Sequence, residues 1–104
     1  MKKVKILRWL VKLQDGEVED STLTVLKALI NFTKPEEMPR GLDNFNLFKR
    51  LSEAFDKAEK NNLLELEDYD YTILKRMIEK NIPSFWGMNK DITKVIDLFI
   101  KAEE

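Results

Sequence analysis

The chain contains no cysteine and no histidine. There is therefore no disulfide framework, no thiolate nucleophile, and no imidazole for acid, base or zinc chemistry. Glycine and proline are scarce, three of each, and the glycines stand apart, so no glycine-rich loop exists to cradle a phosphate. No uninterrupted apolar run approaches the roughly 20 residues of a spanning helix, since Arg8 and Lys12 break the most hydrophobic stretch. Neither a membrane span nor a secretory signal is expected, which makes the cytoplasm the expected location. Charge of one sign is missing as well: 18 basic residues face 19 acidic ones. A net charge of -1 gives no bulk attraction to nucleic acid or anionic membrane.

What the chain does have is the material of one small domain. Its 104 residues suit a single unit spanning 1-104, and a hydrophobic content of 43% with 36% charged residues supports a core without the bias of a disordered chain. The glycines and prolines fall at Gly16, at Pro35, Pro39 and Gly41, and at Pro83 and Gly87, dividing the sequence into four segments with no internal repeat.

From Val4 to Gln14 two patterns compete. Leu7, Trp9, Val11 and Leu13 alternate as in a strand, while Lys5, Arg8 and Lys12 fit a helical stripe. The β-branched Val4, Ile6 and Val11, followed by the turn-forming pair Asp15-Gly16, favour a strand and a hairpin, with Glu17 to Glu19 as a short return strand. Ser21 or Thr22 is placed to cap a helix running to about Phe32, apolar on most of its circumference and so expected at the centre of the core. Lys34 to Leu42 reads as a loop. Asp43 or Asn44 then caps an amphipathic helix to about Asn61, in which Phe48, Leu51, Phe55 and Ala58 share one face and Asn61-Asn62 supplies the stop. Leu64-Glu65-Leu66-Glu67 alternates like a strand that pairs beside the first, and Asp68 or Asp70 caps a third helix ending near Asn81, ahead of Pro83. A last helix from about Asn89 presents Ile92, Val95, Ile96, Phe99 and Ala102. The expected fold is α+β and mostly α: a small N-terminal β-hairpin or sheet with three to four packed helices.

The pair Asp15-Gly16, the segment Thr22-Leu23-Thr24-Val25-Leu26-Lys27-Ala28-Leu29 and the segment from Leu64 through Asp68-Tyr69-Asp70-Tyr71 to Lys75 together resemble small proteins of bacteriophages and prophages. Those are virion-accessory or early-region products. The resemblance rests on helix-forming patterns over most of the chain. It implies no catalytic residue and favours a phage-encoded interaction protein acting in the host cytoplasm.

Candidate chemistry is thin. The acids Asp15, Glu17, Glu19 and Asp20 lack calcium-loop spacing, because Gly16 falls second and the twelfth position is the apolar Leu26. They read as turn and helix-start charges. Glu65, Glu67, Asp68 and Asp70 have no pocket nearby to separate their pKa values for acid-base work, helix capping by Asp68 or Asp70 accounts for the aspartates, and Ser21, Ser52 and Ser84 have no histidine to activate them. Catalytic residues, metal ligands and cofactors are accordingly none, and an enzyme is not expected.

Two surfaces remain. Pro83-Ser84-Phe85-Trp86-Gly87-Met88 gathers large apolar side chains in a segment without helical period. Phe85, Trp86 and Met88 either close the core of a small domain or stand outward as a partner-binding surface for another protein, host or virion component, or a second copy. The alternative is a nucleic-acid-binding regulator that uses Lys2, Lys3, Lys5 and Arg8 with Lys49, Arg50 and Lys57.

Overall fold

The computed structural model describes residues 1–33 and 40–102. The expected loop from 34, with Pro35 and Pro39, therefore falls mostly outside the described residues. Within them the fold is α+β and mostly α. Strand β1 (Lys2–Lys5) is followed by β2 (Arg8–Leu13), β3 (Gly16–Ser21), helix α1 (Thr22–Phe32), helix α2 (Gly41–Asn61), strand β4 (Leu63–Leu66), helix α3 (Asp68–Asn81), a 3₁₀ helix at Ser84–Met88, and helix α4 (Lys90–Ile100).

The N-terminal strand is two strands. β1 pairs antiparallel with β4, placing Val4 opposite Leu64, and β2 pairs antiparallel with β3, placing Val11 opposite Val18. The break lies at Ile6 and Leu7, whose amides point opposite ways: Ile6 N–H donates to the Asn62 carbonyl (3.1 Å), while Leu7 N–H donates to the Thr22 hydroxyl (2.9 Å). Successive residues of a strand present their amides to opposite edges, so β4 and β3 flank one continuous stretch of chain at staggered positions. The hairpin also turns one residue earlier than the Asp15-Gly16 pair suggests. Gln14 and Asp15 form the turn and keep negative φ, and the positive φ of 141° falls on Gly16, the first residue of β3. Glycine carries that angle without a Cβ penalty.

The helices begin differently from the expected caps. Ser21 occupies the cap position of α1 without a side-chain bond, and the Thr22 hydroxyl next to it accepts from the Leu7 amide rather than capping the helix. α2 starts at Gly41, ahead of Asp43 and Asn44, and α3 starts behind Glu67, so Asp68 and Asp70 lie in its first turn. Other boundaries follow the sequence. Asn62 ends α2 in the left-handed conformation (φ 57°), α3 stops before Pro83, and the Asn89 side chain accepts from the amides of Asp91 and Ile92 to open α4.

The core gathers Leu23, Leu26 and Leu29 of α1, Leu47, Leu51 and Phe55 of α2, Leu64 and Leu66 of β4, Leu74 and Met77 of α3, and Val95 and Phe99 of α4. α1 is central over this stretch, although its last residue, Phe32, is 53% exposed. Tyr71 stacks on Phe99 with ring centroids 4.9 Å apart, and its hydroxyl donates to the Phe99 carbonyl at 2.8 Å. Burial, aided by the charge of Glu79, raises the Tyr71 pKa above its ordinary value. The neutral phenol's contribution is therefore complete below about pH 10 and declines as pH rises beyond it, where the unfolded chain releases the proton first. Tyr71→Phe is expected to flatten this part of the alkaline stability profile, measured by urea titration between pH 8 and 11. An identical slope in both proteins would contradict the assignment.

Candidate functional site

The segment from Pro83 to Met88 is a short helix rather than an irregular loop. Pro83 fixes its entry, Trp86 N–H donates to the Pro83 carbonyl (3.1 Å), and Asn89 N–H donates to the Trp86 carbonyl (3.0 Å). This winding turns Trp86 inward and leaves Phe85 and Met88, three residues apart and so on one side of a 3₁₀ helix, facing solvent. Trp86 is only 7% exposed and meets the Phe32 ring edge-on, with centroids 6.0 Å apart. Phe85 and Met88 remain 65% and 89% exposed. Trp86 thus closes the core, as a domain this small requires of its largest side chains, and it cannot be a direct contact without leaving that place. Phe85, Met88 and the exposed Phe32 are the apolar groups that the turn and the end of α1 leave to solvent.

The basic residues are placed on β1, β2 and α2, and the two arginines among them are held by carboxylates. The Arg8 guanidinium donates to Asn62 Oδ1 (3.1 Å), Glu19 Oε1 (3.1 Å), and both the carbonyl (3.3 Å) and Oε2 (3.5 Å) of Glu59. It ties the base of the hairpin to the C-terminal turn of α2, where unpaired carbonyls favour a cation. Lys2 Nζ lies 5.9 Å from the centroid of Tyr71. Arg50 grips Asp70 with Nε and Nη2, the shortest contact being 2.8 Å. This bond to Asp70 is the main cause of the raised Arg50 pKa. Asp70 is 3% exposed, and a carboxylate at that depth requires such a partner. Its expected capping role is replaced by a staple between α2 and α3.

Lys3, Lys5, Lys49 and Lys57 are exposed, yet acids stand among them. Lys3 is in register with Glu65 across the β1–β4 pair. An open cleft of about 240 Å³ between α2 and β4 is lined by Arg50 and Lys57 together with Glu53, Glu65, Glu67 and Asp70. Phosphate binding calls for an excess of cations, and this lining is mixed in sign. Among the described residues no group of three carboxylates is arranged to hold a metal ion, and no helix is long and apolar enough to cross a membrane.

Sequence reasoning missed a second exposed apolar region. Trp9, which shares alternating positions with Leu7 and Val11, does pack partly against the core. Toward the tip the hairpin runs out into solvent, leaving Leu10 63%, Leu13 56% and Val18 48% exposed. The available signal was the polarity of the return strand, in which Val18 is the one large apolar residue. Comparison of the chain with protein-family models, curated proteins and solved structures gave no match.

Proposed function

We propose that this chain is a non-catalytic, phage-encoded accessory or adaptor protein that works in the host cytoplasm by binding another protein, a host or virion component, or by self-association. The observation that carries the binding reading is the split of the 3₁₀ segment: Trp86 is anchored in the core while Phe85 and Met88 project from the same turn. A buried anchor makes the turn rigid, so ordering it costs little on association, and large exposed apolar side chains suit the desolvated centre of an interface. The phage assignment is supported by the sequence resemblance alone. A non-catalytic role is supported by the lack of histidine and cysteine and by the carboxylates' use as surface and bridging charges.

Capture from host lysate treated with nuclease tests this reading. The wild type is expected to retain a protein that Phe85→Ser/Met88→Ser loses by tenfold or more, in keeping with a loss of at least about 1.4 kcal/mol. Melting temperatures of the two forms should agree within a few degrees, because neither side chain is in the core. Undiminished capture by the folded double variant would overturn the assignment of this surface.

The nucleic-acid reading rests on the exposed lysines. It is less well supported, since Arg8 and Arg50 are already held by carboxylates.

A further inference from the structure

The β2–β3 hairpin is a two-stranded ribbon with both outer edges free of strand partners among the described residues. Such ribbons are marginal alone and gain stability from further strands and a covered apolar face. Here Trp9, Val11 and Leu13 of β2 share a face with Val18 of β3, whereas Arg8, Leu10 and Lys12 lie on the other with Glu17 and Glu19. The two-residue turn makes Val11–Val18 and Trp9–Asp20 hydrogen-bonded pairs, so the backbone groups of Leu10 and Lys12 point to the open edge of β2.

We propose that this edge pairs antiparallel, about a two-fold axis at Val11, with β2 of a second copy of the chain. This deepens the binding reading above, on which it rests, by naming a partner. Charge disfavours the other edge, and charge together with the neighbouring strand limits the register. β3 carries Glu17, Glu19 and Asp20 and no base, so pairing β3 with itself sets acid against acid. β2 has no acid. Centring its self-pairing on Leu10 would set Arg8 against Lys12, and centring it on Lys12 would oppose two lysines. A centre at Trp9 would carry the partner strand to Ile6, whose amide is held by the Asn62 carbonyl, and one at Leu13 would set Lys12 and Val11 against the turn residues Gln14 and Asp15. Centring it on Val11 places Leu10 opposite Lys12, Trp9 opposite Leu13 and Arg8 opposite Gln14, with no like charges directly opposed. Leu10 and Lys12 then exchange four backbone hydrogen bonds across the axis. The product is a closed four-stranded sheet, β3-β2-β2-β3, with eight apolar side chains on one face, including the exposed Leu13 and Val18 of both copies. A head-to-tail pairing of β2 with β3 would instead leave a free edge at each end and propagate.

The register is testable because the chain has no cysteine of its own. Val11 meets its twin in a non-hydrogen-bonded pair, with Cα atoms about 4.5 Å apart, within disulfide range. Two copies of Leu13 would lie about 14 Å apart by strand rise, beyond it. Under mild oxidation Val11→Cys is expected to form a covalent dimer at least tenfold faster than Leu13→Cys, although position 13 is the more exposed. In sedimentation equilibrium the wild type is expected to dimerise, and Leu10→Lys to weaken the dimer roughly tenfold by opposing two lysine pairs. Within its own hairpin Leu10→Lys faces Glu19, so the monomer should melt no lower than wild type. A wild type that stays monomeric at hundreds of micromolar, or a Leu13→Cys that cross-links as fast as Val11→Cys, would overturn the pairing. Capture through Phe85 and Met88 uses another surface, so failure of the dimer and failure of the broader binding reading are separately visible.

Discussion

Trp86→Ala is expected to lower the free energy of unfolding by about 3–5 kcal/mol, the usual loss when a buried aromatic is truncated. The indole is nearly enclosed and abuts Phe32, so its removal opens a cavity where the 3₁₀ segment joins the body and leaves that ring without its edge-on partner. Urea denaturation monitored by far-UV circular dichroism measures it. Loss of binding in this variant would be an indirect effect of a loosened turn. A change below about 1 kcal/mol would show that Trp86 contributes little to the core and would return it to the candidate contacts.

Phe99→Ala is expected to cost a comparable 3–5 kcal/mol. Phe99 is fully buried, stacks on Tyr71 and lies on the face of α4 that docks against the rest of the core. The variant should also expose Tyr71, removing the main cause of its raised pKa, so its alkaline stability profile should resemble that of Tyr71→Phe. A stability close to wild type would mean that α4 is held chiefly by other side chains.

The α+β, mostly helical fold was legible wherever local chemistry and burial agree. Asn62 and Asn89 could be recognised as helix punctuation because left-handed φ and side-chain capping are properties of Asn itself. The strand β4 was legible in the alternation of Leu64 and Leu66, and it pairs with β1 as expected. Asp70 was misread for the opposite reason: its role is set by Arg50, twenty residues away, and no local rule registers a partner at that distance. The break at Ile6 and Leu7 was hidden too, since a continuous β pattern does not show that the chain changes partner strand midway.

The candidate site was legible in composition and not in direction. Phe85, Trp86 and Met88 stand close in sequence, and only the 3₁₀ winding turns the middle one inward. The hairpin misled because alternation marks a strand's two faces without showing that either is covered: Trp9 meets the core, while Leu13, four residues on, has passed beyond it.

The central claim, that contact is made by apolar groups outside the core rather than by the lysines, is tested most directly by one side-by-side capture experiment. Wild type, Phe85→Ser/Met88→Ser and Lys3→Gln/Lys5→Gln are compared on nuclease-treated and untreated lysate, with the bound material eluted by increasing salt. A protein that withstands nuclease and salt, is kept by the lysine variant and is lost by the Phe85/Met88 variant is the predicted result. Bound material that vanishes with nuclease, elutes steeply with salt and is weakened only in the lysine variant would contradict it, and its logarithmic salt slope would fall by about two in that variant.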